Sequence, residues 1–104
     1  MQKIHFHPRY LDSVRAGRKT RTTRFRDPVT LGEAILEFRP EGQRPVRLSA
    51  VVTDVRETTL KQLTDVDARR EDLNSAEDLR DVLRWHYPEI AADDHVQVVS
   101  FRLL

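Results

Sequence analysis

The most informative stretch of the sequence reads Gly17-Arg18-Lys19-Thr20-Arg21-Thr22-Thr23-Arg24, and it combines four cations with three threonine hydroxyls. Arginine and lysine supply charged donors for phosphate or acyl oxygens. A threonine beside a lysine can also be a nucleophile beside a base. The same pattern is typical of an exposed strand with solvated charges, so the stretch by itself leaves its function open.

The residues before this stretch predict a strand and a helix. Residues 3–6 form a short strand that contains apolar side chains, and Pro8 suits the first turn of a helix. Tyr10, Leu11 and Val14 supply the buried stripe of that helix, and Gly17 suits its end. The β-branched threonines then favour an extended segment over residues 19–24, which Asp27-Pro28 terminates.

The rest of the chain predicts three more strands and two helices. The strands cover residues 34–39, 46–56 and 96–104, and a change of apolar register within the second predicts a bend or bulge. Thr64 to Asp67 and Ser75 to Asp78 have the form of capping boxes, so each is predicted to start a helix, and the later helix ends by Pro88. The predicted fold class is α+β, a small and mostly antiparallel barrel of about five strands with short flanking helices.

The composition limits the protein to one small domain, residues 1–104, with a single core. The net charge is +1, but cations crowd the first quarter of the chain while acidic residues concentrate between residues 54 and 81. This asymmetry predicts one electropositive face for an anionic or polar ligand, rather than a general nucleic-acid coat. The absence of cysteine excludes disulfides, thiolate catalysis and cysteine-ligated zinc.

The sequence also indicates where the protein works. It contains neither a membrane span nor a signal peptide, so we expect a cytoplasmic protein without membrane contact, as a monomer or weak dimer. His5 and His7 have the spacing of a metal pair on one strand face, but no third ligand lies near them in sequence. We therefore expect no metal ion and no cofactor.

A series of residues matches, in order and spacing, the pattern of a known family. It comprises Phe6, Tyr10-Leu11, Ala16-Gly17-Arg18-Lys19-Thr20, Thr22, Arg24, Leu31-Gly32-Glu33, Thr59-Leu60, Leu63-Thr64, Ala68, Glu71, Tyr87-Pro88 and Val99-Ser100-Phe101. Over nearly its whole length the chain thus resembles the ASCH domain, a small relative of the PUA-type RNA-binding barrel. The resemblance is closest to the compact single-domain branch that hydrolyses N(4)-acetylcytidine to cytidine and acetate.

The resemblance implies an active site and a PUA-like fold. In that branch a lysine, a threonine and a glutamate form the site, and by position they correspond to Lys19, Thr22 and Glu71. The side chains that we expect to contact the substrate are Arg18, Thr20, Arg21, Arg24 and Tyr87. The sequence departs from the family pattern at Arg21 and Thr23 and in the arginine-rich Arg24-Phe25-Arg26.

Amide hydrolysis needs a nucleophile, a proton carrier and a group that stabilises the oxyanion. Thr22 could attack the acetyl carbon with Lys19 as its base, provided that Lys19 is deprotonated. Glu71 lies late in a short predicted helix, where the helix dipole favours the protonated carboxyl and a general-acid role. Strict strand alternation puts Lys19 and Thr22 on opposite faces, so a turn or bulge is needed to bring them together.

Two other functions remain open. The basic stretch Arg18–Arg26 could hold the phosphates of single-stranded RNA in a non-catalytic binding module. It could also surround a scissile phosphate in a ribonuclease. If the three residues have no catalytic role, Thr22 is a structural hydroxyl, Lys19 a surface cation and Glu71 a partner of a neighbouring arginine. Trp85 and Tyr87 could stack on a base or simply pack at the rim of the core.

Overall fold

The computed structural model describes residues 1–104 and contains five β-strands and three α-helices. In chain order they are β1 (Gln2–Phe6), α1 (Leu11–Arg15), β2 (Arg21–Arg24), β3 (Gly32–Phe38), β4 (Val46–Thr59), α2 (Asp65–Arg70), α3 (Ala76–His86) and β5 (His95–Leu103). Two 3₁₀ turns, Pro8–Tyr10 and Leu60–Gln62, follow β1 and β4. None of the helices combines the length and the apolar character needed to cross a bilayer.

The strands form one sheet in the order β1-β3-β4-β5-β2, which curls into a half-barrel. β1 pairs with β3 in parallel, and the three other pairs are antiparallel. The register of β4 against β5 shifts between Val52 and Asp54. The predicted α+β class, the mostly antiparallel PUA-like sheet of five strands and the bulge in the long strand are therefore confirmed.

The final strand holds two apolar clusters together. Val99 and Phe101 face the larger cluster, which lies between the sheet and α1. Val96 and Val98 face a second cluster, to which α2 and α3 contribute Ala68, Leu79 and Leu83 among others. Because side chains alternate along a strand, β5 can bury both of its faces, and its nearly continuous apolar sequence is typical of such a strand.

The helix ends follow the predicted chemistry with two differences. Thr64 and Asp67 form the expected capping box, whereas Ser75 accepts a hydrogen bond from the backbone of Asp78 without the reciprocal bond. At the end of α1, Gly17 has a φ of +76° and the Arg18 N–H bonds to the Ser13 carbonyl, as in a Schellman turn. The first turn predicted for this helix is a 3₁₀ turn, with the His7 side chain as its cap.

Asp67 ties α2 to the sheet. Its side chain is 1% exposed, and besides capping α2 it accepts hydrogen bonds from Arg21 of β2 and Arg56 of β4. A buried carboxylate is stable only when it is paired and hydrogen-bonded, and these contacts meet that requirement. They fix the first turn of α2 beside the start of β2.

A second buried carboxylate, Glu37, lies on β3. Glu37 is 1% exposed and is the register partner of His5 on β1 and of Arg47 on β4. Arg47 and Arg39 each donate to it from Nε at 2.8 Å, and the His5 imidazole lies 3.4 Å away. The hydrogen bonds from Arg47 and Arg39 lower the pKa of Glu37 to about 2. His5 is thus a cross-strand neighbour of a carboxylate, and His7 is a helix cap.

Substitution of Glu37 by glutamine is expected to lower stability at neutral pH but not in strong acid. Since the folded pKa lies below that of an unfolded glutamate, about 4.3, the carboxylate stabilises the fold above that value. This contribution is lost as the pH falls towards 2. Urea unfolding of wild type and Glu37→Gln, near pH 7 and near pH 3, should give a stability difference that narrows in acid. A constant difference would contradict this account.

Candidate functional site

Two helix ends meet at the start of β2. Lys19 follows the Schellman turn of α1, and Glu71 is the C-terminal cap of α2. Asp72 ends α2 with a φ of +63°, a conformation that asparagine and aspartate adopt more readily than most residues. Its carboxylate accepts hydrogen bonds from Ser13 of α1 and from Arg18 of the Schellman turn that follows α1. The hydrogen bonds from Ser13 and Arg18 lower the pKa of Asp72, so the carboxylate that joins the two turns stays ionised.

The backbone then brings the two side chains into contact. Lys19 and Glu71 form an isolated antiparallel bridge, and the Thr20 N–H donates to the Arg70 carbonyl at 2.8 Å. Lys19 and Glu71 are 52 positions apart in the sequence, yet Lys19 Nζ donates to Glu71 Oε1 at 3.0 Å. The pairing is therefore set by main-chain geometry as well as by charge.

This ion pair is buried and has a third member. Lys19 is 5% exposed and Glu71 6% exposed. Thr23 Oγ1 donates to the other oxygen of Glu71, Oε2, at 2.6 Å. The ammonium of Lys19 also lies 4.8 Å from the centroid of the Tyr10 ring, within range of a cation–π interaction. Both oxygens of the Glu71 carboxylate therefore accept hydrogen bonds within the protein, and the Lys19 ammonium contacts both Glu71 and the Tyr10 ring.

Thr22 lies on the other face of β2, beside Arg24. Its Oγ1 accepts a long hydrogen bond of 3.4 Å from Arg24 Nη1. The same guanidinium donates to Asp27 and to the His5 carbonyl, and it covers the Phe6 ring at 5.3 Å. The Thr22 hydroxyl therefore accepts from a fixed cation and keeps its own hydrogen for another partner.

A histidine and a tyrosine lie beside the ion pair. Tyr10 Oη and His86 Nε2 are 2.7 Å apart, and His7 lies beside both rings. Burial raises the pKa of Tyr10. Burial lowers the pKa of His86, and the neighbouring cations and His7 lower it further. Near neutral pH this pair consists of an uncharged phenol and an uncharged imidazole.

These groups enclose a cavity of about 80 Å³, which has room for several water molecules or for a small planar group. Its walls are polar on the β2 side and apolar on the α3 side. The lining residues are Phe6, His7, Tyr10, Lys19, Thr22, Thr23, Arg24, Glu71, Leu73, Leu79, Val82, Leu83, His86 and Tyr87. No group of three or more histidine, cysteine, aspartate or glutamate side chains is arranged to hold a metal ion.

The structure places the residues singled out from the sequence in three groups. Lys19, Thr22 and Glu71 all line this cavity, and of the expected substrate contacts Arg24 and Tyr87 do so as well. Arg18 and Arg21 instead pair with Asp72 and Asp67 outside it. Thr20 joins Arg70 and Phe101 through its backbone. The catalytic roles of the cavity residues remain predictions.

The sequence interpretation did not assign Thr23, Tyr10 or His86 to the site. For Thr23 a signal existed, because strand alternation puts Lys19, Arg21 and Thr23 on one face, towards α2. Tyr10 belonged to a helical stripe that was interpreted as core, and it packs partly against the larger cluster while its hydroxyl faces the cavity. His86 carries no local motif, and only the fold brings it to Tyr10.

Comparison with known proteins gives the fold. No protein-family model and no curated protein matches the sequence. Protein EF3133 from Enterococcus faecalis V583, of family DUF984, superposes with a TM-score of 0.70 at 18% identity, over 92% of this chain and 67% of its own. The ASCH domain from Lactobacillus crispatus JV V101 gives 0.66 at 13% identity, over 88% and 68%.

A third solved structure matches over almost its full length. Hypothetical protein PH0355 superposes with a TM-score of 0.72 at 20% identity, covering 99% of this chain and 98% of its own. The similarity in each case is one of fold at low sequence identity. The chain therefore has the fold of an ASCH domain, the PUA-like architecture that its sequence resemblance predicted.

Proposed function

We propose that the protein is an amidohydrolase that releases acetate from N(4)-acetylcytidine-like nucleosides and leaves cytidine. The observation that carries the proposal is the buried Lys19–Glu71 pair, which lies in a cavity together with two threonine hydroxyls. A cavity that only bound phosphate would gain nothing from a buried carboxylate. An amide hydrolase can use such a carboxylate to move protons.

The ion pair can supply both a base and an acid. Passage of one proton from Lys19 Nζ to Glu71 Oε1 gives a neutral amine and a neutral acid. The two atoms are already joined by a hydrogen bond of 3.0 Å. The amine can then accept a proton from the nucleophile, and the acid can give one to the leaving nitrogen.

Thr22 is the nucleophile in this mechanism. Its Oγ1 bonds to the acetyl carbon and its proton goes to the Lys19 amine, while the Arg24 guanidinium stabilises the negative charge that develops on oxygen. The carbon–nitrogen bond then breaks, and Glu71 protonates the exocyclic nitrogen of cytidine. Water next attacks the acetyl-threonine ester and gives its proton to the same pair. The pair returns that proton to the threonine oxygen, and acetic acid leaves and loses its own proton to solvent as acetate, so the starting charges of the site are restored.

The arginines near the site support this choice over a phosphate-binding surface. Of the four arginines in the basic stretch, Arg18 pairs with Asp72, Arg21 with Asp67 and Arg24 with Asp27. Arg26 is exposed and lies over the Phe25 ring at 4.6 Å. Most of the local positive charge is neutralised within the fold, which leaves little of it for counterion release on RNA.

The dependence on salt concentration distinguishes the hydrolase hypothesis from the RNA-binding alternative. N(4)-acetylcytidine carries no phosphate, so we expect its turnover to change little between low and moderate salt. An RNA binder would lose affinity with a log–log slope of about 0.7 for each phosphate contact. Cytidine release and the binding of short single-stranded RNA should be measured on one preparation. Steeply salt-dependent RNA binding without cytidine release would favour the binding module, and RNA cleavage would favour the ribonuclease.

A further inference from the structure

We infer that Tyr10 and His86 bind the polar edge of the pyrimidine base, and that protonation of His86 weakens this binding. The inference rests on the proposed function and adds to it a recognition element beside the reacting groups. Both side chains line the cavity, and their hydrogen bond of 2.7 Å joins the segment before α1 to the last residue of α3.

The charged side chains of the cavity are already paired within the protein. Glu71 uses one oxygen for Lys19 and the other for Thr23. Arg24 donates to Thr22, Asp27 and the His5 carbonyl. These groups are also charged, whereas a pyrimidine base is neutral and presents amide-like donors and acceptors. Neutral partners with unused hydrogen-bonding capacity are better suited to it, and the Tyr10–His86 pair supplies them.

The neutral Tyr10–His86 pair can offer a ligand a hydrogen-bond donor on either residue and an acceptor on the other. If the Tyr10 hydroxyl donates to His86 Nε2, Nδ1 carries the imidazole hydrogen and is the outward donor, while the tyrosine oxygen accepts. If Nε2 donates to the tyrosine oxygen, the hydroxyl becomes the outward donor and Nδ1 accepts. The neutral pair therefore always offers one donor and at least one acceptor, as the edge of a base requires.

Protonation of His86 prevents this exchange of donor and acceptor roles. Both imidazole nitrogens then carry hydrogen, so the imidazole can no longer accept. The new charge also lies among His7 and Arg9 from the β1–α1 connection and Lys19 and Arg24 around β2, with Glu71 as the nearby carboxylate of the cavity. Because burial and these cations lower the pKa of His86, the pair stays neutral near pH 7 and becomes charged only in acid.

The test compares the kinetics of four variants with N(4)-acetylcytidine as substrate. Tyr10→Phe and His86→Leu each remove a hydrogen-bonding group, so we expect KM to rise about tenfold while kcat changes far less. His86→Gln keeps a polar group near Tyr10 but cannot titrate. Its KM should remain near the wild-type value at neutral pH and should not rise in acid, where the wild-type KM does. His95→Asn, at an exposed histidine on β5, is the matched control and should behave as wild type.

The outcomes separate this inference from the proposed function. Wild-type turnover together with an unchanged KM in Tyr10→Phe and His86→Leu would overturn the recognition role alone. The same holds if His86→Gln keeps the acid-dependent rise in KM, since another group would then be titrating. Absence of wild-type turnover would overturn both proposals. Circular dichroism of each variant ensures that a changed KM reflects the cavity and not loss of the fold.

Discussion

The Lys19→Met variant is expected to lose turnover by at least about a hundredfold, because it removes the proton carrier. It is also expected to lose about 3–5 kcal/mol of stability, because Glu71 is left as an unpaired buried charge. Lys19 and Glu71 are both almost fully buried and joined at 3.0 Å. Glu71→Gln should behave similarly, since it leaves Lys19 without its counter-charge. Urea unfolding and cytidine release measure the two effects separately.

The double variant Lys19→Met with Glu71→Gln separates folding from chemistry. It leaves no buried charge, and the glutamine oxygen can still accept from Thr23, so most of the lost stability should return. Activity should not return, because the proposed base and the proposed acid are both absent. A double variant as unstable as the single ones would argue against the ion-pair account of stability. Full activity in Lys19→Met would remove Lys19 from the mechanism.

Thr22→Val is expected to abolish turnover, by about a thousandfold or more, if Thr22 is the nucleophile. The matched variant Thr23→Val removes the hydroxyl that donates to Glu71 at 2.6 Å. It should reduce the rate by a smaller factor, since it only releases the carboxylate from its fixed position. Both threonines are buried on β2, so the pair of variants compares equal changes at neighbouring positions. The rates of single turnover with N(4)-acetylcytidine measure the difference.

If Thr23→Val loses more activity than Thr22→Val, the mechanism changes but the location of the site does not. If Thr22→Val retains activity while Thr23→Val loses it, Thr23 is the nucleophile and Glu71, its hydrogen-bond acceptor, is the base. Activity in both variants would leave a water molecule activated by the Lys19–Glu71 pair. The proposed role of Thr22 would be wrong in either case.

Much of the fold could be predicted because its signals are local. Gly17 marks the end of α1, and Thr64 with Asp67 marks the start of α2, through backbone preferences that need no tertiary partner. The bulge in β4 was visible as a change of apolar register. The end of α2 was harder to locate, because Asp72 occupies the left-handed position where glycine is more usual.

The site could be predicted only in part because its contacts are long-range. Lys19, Thr22 and Glu71 followed from family resemblance, and all three line the cavity. The basic stretch was interpreted as a surface for ligands, yet Arg21 pairs with Asp67, which lies 46 positions away in sequence. Tyr10 and His86 are 76 positions apart. Such pairs depend on which elements pack together, and no local periodicity encodes that.

The most direct test of the central claim is to incubate the purified protein with N(4)-acetylcytidine and to quantify cytidine and acetate over time. The account predicts equal amounts of the two products from the wild type and none from the Lys19→Met, Glu71→Gln double variant, whose folded state is checked by urea unfolding. Intact N(4)-acetylcytidine after prolonged incubation with the folded wild type would contradict the account, as would equal product release by the double variant.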